Sequence, residues 1–207
     1  MKRQLFLLAA AGTVGMGLGS CDALKQTAGS AASLTQCEYS YNSIAGLSLA
    51  GVNVQNITSL SSLNLLDAAK LTAALAQIGS GSGTLPLQFT LNLDVKNPGT
   101  QTAAISALQY ILEIDDVEMT GGNIEQGFSA PAGGVSQLPV QLSFDLKKVM
   151  TGQSADAIKN LAMNFIGVGS TPTNVRLRLK PSMTVAGKTI ISPTYIPVTF
   201  QYGKGAK

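Results

Sequence analysis

The chain has no histidine among its 207 residues. That removes the usual general base near neutral pH, the Ser-His and Cys-His nucleophile pairs and the commonest metal ligand. Carboxylates remain, and they cluster once, at Asp115, Asp116 and Glu118. Glycosidase-type chemistry needs two acids held across a site, whereas adjacent acids on one turn point in different directions. A solvated turn is the expectation there, with an oxygen-lined calcium site as the alternative. The run "GSGSG" at 79–83 precedes a strand and lacks the Lys-Ser or Lys-Thr of a phosphate loop. Cys37 has no visible activator. These residues imply no catalysis, no metal and no cofactor.

Arg176, Arg178 and Lys180 stand at alternate positions, so a strand would carry all three on one face. Such a row is a candidate contact for lipid head groups or an acidic partner. Its plainer reading is a charged outer face that discourages edge-to-edge pairing. Net charge adds little: the chain has 14 Lys+Arg against 11 Asp+Glu, and two of the basic residues are Lys2 and Arg3 at the start. With no Trp and only 5% aromatic residues, glycan stacking and nucleic-acid binding have no support.

The start of the chain is an address. Lys2-Arg3 precede an apolar stretch from Leu5 to Leu18 and small residues before Cys21, the layout of a secretory signal peptide. The stretch is shorter than the roughly 20 residues that a spanning helix needs, and Gly12, Gly15 and Gly17 weaken it further. Leu18-Gly19-Ser20-Cys21 resembles the lipobox of bacterial lipoproteins. The resemblance implies cleavage after residue 20 and lipidation of Cys21. Acyl chains then hold the protein on a membrane at about 0.8 kcal/mol per buried methylene. Residues 21–36 are small and polar after the Cys and read as a flexible tether. The folded domain is expected over 37–207. With Cys21 lipidated, Cys37 is left as a buried free thiol or an intermolecular bridge, the former being the simpler reading.

The elements that must position these groups are mostly strands. Leu85, Leu87, Phe89, Leu91, Leu93 and Val95 alternate with Pro86, Gln88, Thr90, Asn92, Asp94 and Lys96, the period of a half-buried strand. Pro86 suits the strand start, Asn97-Pro98 ends it, and Gly99 permits a positive φ. Leu108, Tyr110, Leu112 and Ile114 repeat the pattern, with a turn at Asp115-Asp116 and a short strand ending at Gly121-Gly122. Leu138 to Leu146, Val175 to Leu179 and Ile196 to Tyr202 alternate likewise, and Gly187-Lys188 reads as a hairpin turn. An earlier strand fits 43–55, with Gly46 and Gly51 as bulges. Two segments have helical spacing instead. One lies near 64–78, capped by Asn64 or Ser62, with Leu65, Ala69, Thr72, Leu75 and Ala76 on one face; the other lies near 154–166, with Ile158, Leu161, Ala162 and Phe165. The sum is a mainly β chain: an antiparallel β-sandwich of about seven strands with two inserted helices.

The segments "DVKNPGT", "ISALQYILEIDDVEMTGG" and "LPVQLSFDL", in that order, resemble the late embryogenesis abundant type 2 family, also described as the water-stress and hypersensitive-response domain. The matching positions are Asn97-Pro98, Tyr110 and Gly121-Gly122. The resemblance implies a sandwich of fibronectin type III or immunoglobulin-like shape, stress or desiccation protection in some members, and no catalytic residues to carry over. The expected function is a non-catalytic, lipid-anchored module at the bacterial cell envelope, structural, stress-protective or protein-binding. Its expected location is the outer membrane, facing the periplasm or the cell surface. The alternative is a carrier holding a lipid or other hydrophobic ligand in a groove of the sandwich.

Overall fold

Strict alternation forms the middle of a sheet. In a computed structural model, which describes residues 36–55, 63–80, 83–149, 154–165, 169–185 and 188–203, strand β3 (Pro86–Lys96) lies between β1 (Glu38–Leu49) and β8 (Val135–Asp145). The two-residue β2 (Val52–Asn53) extends the far side of β1. Leu87, Leu91, Leu93 and Val95 of β3 are completely buried, each worth about 2 kcal/mol of transfer free energy. The expected leader, Cys21 and all of the tether before Gln36 lie outside the described residues.

The second sheet is built on β9 (Thr173–Val185), which pairs with β5 (Ala107–Ile114) on one side. On its other side it takes β11 (Ile196–Tyr202) along its first half and β10 (Lys188–Ile191) along its second. Strand β6 (Val117–Ile124) completes the sheet beyond β5. A small ribbon of β4 (Ala103–Ile105) and β7 (Phe128–Ala130) closes one end. All pairings are antiparallel. The two inner faces meet in one core, where Tyr41 of β1 stacks on Phe200 of β11 at 3.9 Å between ring centroids. This is the expected β-sandwich, with seven long strands among the described residues and four short ones that the alternation does not announce.

Two glycines differ from the expectation. Gly51 is not a bulge: Ala50 (φ 52°) and Gly51 (φ 77°) form the two-residue turn from β1 into β2. Gly46 (φ 62°) does mark a bulge in β1, where the register shifts between Ala45 and Ser48. Gly99 is absent from the left-handed region, and its N–H instead closes a turn onto Asn97 Oδ1 at 3.0 Å. At the β5–β6 hairpin, Asp115 (φ 47°) and Asp116 (φ 63°) form the expected turn, with both residues left-handed.

Helix α1 (Leu65–Ser80) is capped by Asn64, whose Oδ1 accepts the Asp67 N–H at 2.9 Å. Its buried face is Leu71 and Ala74, whereas Leu65 (89% exposed), Ala69, Thr72 and Ala76 face solvent. The expected face is corrected because a segment apolar nearly all round specifies its face poorly. Helix α2 (Leu146–Val149) is a single turn that follows β8. Helix α3 (Ser154–Phe165) buries Ile158, Leu161, Ala162 and Phe165, as the spacing requires. Phe165 lies between Phe89 of β3 and Tyr202 of β11.

The sheet edges are interrupted. Pro139 lies in β8, the outer strand of the first sheet, and Pro197 lies in β11, which pairs with β9 alone.

Candidate functional site

The cationic row sits where β9 crosses β5. Arg176 is paired in register with Glu113, Arg178 with Ile111 and Lys180 with Gln109. Alternation sends the three cations and Glu113 to the outer face, and the hairpin turn brings Asp116 and Glu118 alongside. Arg176 Nη1 is 3.2 Å from Glu113 Oε2 and 3.3 Å from Asp116 Oδ1. Arg178 Nη2 is 2.7 Å from Glu113 Oε1 and 3.3 Å from Glu118 Oε2. The Glu113 side chain is only 13% exposed, so it is the shared inner anion of a two-arginine ladder. Lys180 Nζ lies 5.2 Å from the ring centre of Tyr195, and Arg178 Cζ lies 5.6 Å from it.

The arginine charges are therefore matched from within the fold, although the buried Arg178 Nε has no hydrogen-bond partner. Sequence reading placed Glu113, Arg176 and Arg178 outward but had no strand order to bring them together. The acidic turn is equally occupied. Asp115 Oδ1 accepts the Asn174 N–H at 2.8 Å, and its Oδ2 accepts from Asn160 Nδ2 at 3.4 Å. Asp116 and Glu118 hold the arginines. Among the described residues, no cluster of three acidic or sulfur ligands is arranged for a metal. Cys37 is buried and free, and burial pushes its thiol pKa up, away from the nucleophilic thiolate.

The resemblance-bearing residues have structural surroundings. Asn97 is fully buried, and its backbone N–H and both side-chain groups are hydrogen-bonded. Its backbone N–H donates to Gly134 O at 2.9 Å, and Nδ2 donates to Gln101 O at 2.8 Å and Ala130 O at 3.0 Å. Oδ1 accepts from Gly99, so one side chain ties the end of β3 to the β4–β7 ribbon. Pro98 is exposed beside it, where a missing N–H costs nothing. Tyr110 is 9% exposed, and burial raises its phenol pKa.

Across from Tyr110, β6 continues through Gly121-Gly122 rather than ending there. A Cβ on Gly122 would lie 2.9 Å from Tyr110 Cε1 and Oη. The glycine pair thus makes room for the tyrosine ring in the middle of the hairpin.

Two groups escaped sequence reading. Asn160 and Asn164, one turn apart on α3, form a polar knot with the start of β9. Asn164 Nδ2 donates to Thr171 O at 2.7 Å and Thr173 Oγ1 at 2.8 Å, while its buried Oδ1 has no donor. The second group is apolar and exposed: Ile190, Ile191 and Tyr195, flanking the β10–β11 connection. The Asn spacing of four was the available signal for the first. Neither residue type nor period marked the second.

The motif residues Asn97, Tyr110 and Gly122 thus serve the closure of the sandwich itself. The chain belongs to the late embryogenesis abundant type 2 family: residues 92–198, just over half of the chain, match the family described as "Late embryogenesis abundant protein". Membership points to a stress-related, non-catalytic domain. Solved structures that align with the chain include a crystal structure of a protein from Archaeoglobus fulgidus, at 13% identity over 57% of this chain and 86% of that one, TM-score 0.37. A solution structure of a protein from Arabidopsis thaliana aligns at 13% identity over 56% and 70%, TM-score 0.39. A solution structure of a protein assigned to the late embryogenesis abundant (LEA) class aligns at 16% identity over 88% and 79%, TM-score 0.37. No curated protein matches the chain in sequence.

Proposed function

We propose that this is a lipid-anchored protein of the bacterial cell envelope whose sandwich acts without catalysis, as a structural, stress-protective or protein-binding module. Residues 1–20 are the leader, 21–36 the tether and 37–207 the domain. The membrane partner is reached through acylated Cys21, at the outer membrane facing the periplasm or the cell surface. The observation that carries the anchor is the basic start and apolar stretch ending in Leu18-Gly19-Ser20-Cys21. No helix among the described residues is long and apolar enough to cross a membrane, so attachment in this reading rests on the acyl chains.

The non-catalytic part is supported by the use of the arginines and carboxylates in internal pairing. The module reading expects a filled core rather than a ligand chamber. Two hollows of about 460 and 290 Å³ open on the surface, where Gln88, Thr90, Gln141, Asn160 and Thr171 line them together with Phe89, Leu142 and Met163.

Expression in a bacterial host fed an alkynyl fatty acid tests the anchor. The mature chain is expected to begin at Cys21 and carry the label, and Cys21→Ala is expected to lose it. An unlabelled chain that retains its leader overturns the anchor. Native mass spectrometry with lipid extraction tests the filled core: a bound acyl species at stoichiometric occupancy, beyond the anchor itself, would replace the module by a carrier.

A further inference from the structure

The exposed apolar side chains are not scattered. The chain enters the sandwich at Glu38, which is paired with Lys96 of β3, and Lys96 is paired with Val135 of β8. Hydrogen bonds lead from there across the same end of the molecule. Asn97 binds Ala130 of β7, β7 pairs with β4, and Ser106 just after β4 donates its N–H to Ser182 O of β9. Ser182 is paired with Ile191 of β10, and Leu179 with Ile196, the residue after Tyr195. The entry point of the chain and the β9–β10 hairpin therefore share one end.

That end holds four of the six large apolar side chains exposed among the described residues: Val135 (60%), Ile190 (46%), Ile191 (46%) and Tyr195 (38%). Strand β5 begins at Ala107, opposite Ser182, so the β9–β10 hairpin runs on past its neighbour. Ile190 and Ile191 point to opposite faces of β10, yet both are nearly half exposed. Their partners Met183 and Ser182 on β9 are buried, so β10 is the outer strand of the hairpin and offers its two isoleucines to solvent from the flank of the sandwich.

We propose that this end docks on the lipid bilayer that holds the acyl chains, with Ile190 and Ile191 entering the interface and Tyr195 at head-group depth beside Lys180. The inference rests on the anchor reading above. From Cys21 to Cys37 the chain reaches at most about 55 Å when fully extended, which holds the domain over the membrane at roughly millimolar effective concentration. At that concentration a few apolar side chains suffice, although they would not recruit a free protein. Tyrosine and lysine are the residue types that suit the boundary between acyl chains and water.

The chain has no tryptophan, so an introduced indole is a unique reporter. The full-length chain, made in a lipidating bacterium, is reconstituted in phosphatidylethanolamine–phosphatidylglycerol vesicles with brominated acyl chains. Two variants are compared: Ile190→Trp at the proposed docking end and Leu65→Trp at the start of α1. The indole of the first is expected to be blue-shifted and quenched at least roughly twofold more than that of the second, as befits burial in the interface. Equal, water-like emission from both overturns docking. A blue shift that rises with protein density without bromine quenching assigns the hairpin to a second copy and also overturns it. The mass of the same samples separates the two readings. An acylated Cys21 with a water-like indole at 190 leaves the anchor standing and sinks the docking, whereas an unmodified Cys21 sinks both.

Discussion

Asn97 and Asn164 are both buried side-chain amides that bind a loop to the sandwich, and they do so on different terms. Asn97 spends both side-chain N–H donors on carbonyls and accepts from Gly99, so its side-chain amide is left with no unmatched group. Asn164 makes comparable donor contacts to Thr171 and Thr173, but its Oδ1 is pressed between Gly169 and Gly203 with no donor. Leaving a buried acceptor unpaired costs roughly 1–3 kcal/mol, which offsets much of what the donors contribute. The clasp at the end of β3 is therefore the stronger, and the seat of α3 on β9 the weaker.

Substitution at Asn97 gives the largest expected effect. Asn97→Asp places a carboxylate oxygen against the Gln101 and Ala130 carbonyls, and urea denaturation is expected to show a loss of roughly 3–5 kcal/mol or no folded protein. Asn97→Ala, which leaves three backbone groups without partners, is expected to cost about 2–3 kcal/mol. The same change at Asn164 removes the unpaired oxygen along with the donors, so Asn164→Ala is expected to cost only about 1 kcal/mol. Equal losses at the two positions would break the comparison. Arg176→Ala lies at the small end: its side chain is 45% exposed, Glu113 keeps Arg178, and a change within about 1 kcal/mol is expected in the same assay.

Alkaline pH acts on the whole core. Burial raises the pKa of Cys37 above its ordinary 9.0 and those of Tyr39, Tyr41, Tyr110 and Tyr202 above 10.0. The folded state keeps these protons longer than the unfolded chain does. This contribution to stability is complete below pH 9 and is lost as pH rises through the unfolded and then the folded values. Thermal melts are expected to be flat from this cause up to pH 9 and to fall beyond pH 10. The absorbance of these four tyrosinates should rise late, together with unfolding; their normal titration in a still-folded protein would contradict the burial.

The inner faces of the long strands were legible because a period of two leaves only one face to bury, as at Leu87 to Val95 and Leu108 to Ile114. The glycine pair misled for a physical reason. Glycine commonly ends a strand, but at Gly121-Gly122 it continues one, because the partner strand places Tyr110 in the space where a side chain would stand. The face of α1 was unreadable because apolar residues surround the helix and its few polar ones, Asp67, Lys70, Thr72 and Gln77, mark no single side. The arginine ladder needed the strand order: Glu113 and Arg176 lie 63 residues apart in sequence and meet only because β5 and β9 are neighbours. The exposed hairpin follows from how far β9 overruns β5, a length relation between strands that composition does not carry.

The prolines in the outer strands matter most if the chain is confined to a surface. Anchored molecules collide in two dimensions with their edges already aligned, the arrangement that favours strand-to-strand growth into fibres. Pro139 and Pro197 each remove a backbone donor from an outer strand. At these two strands a confined population is denied a continuous ladder to extend, which leaves β6, an outer strand without proline, as the edge open to such growth.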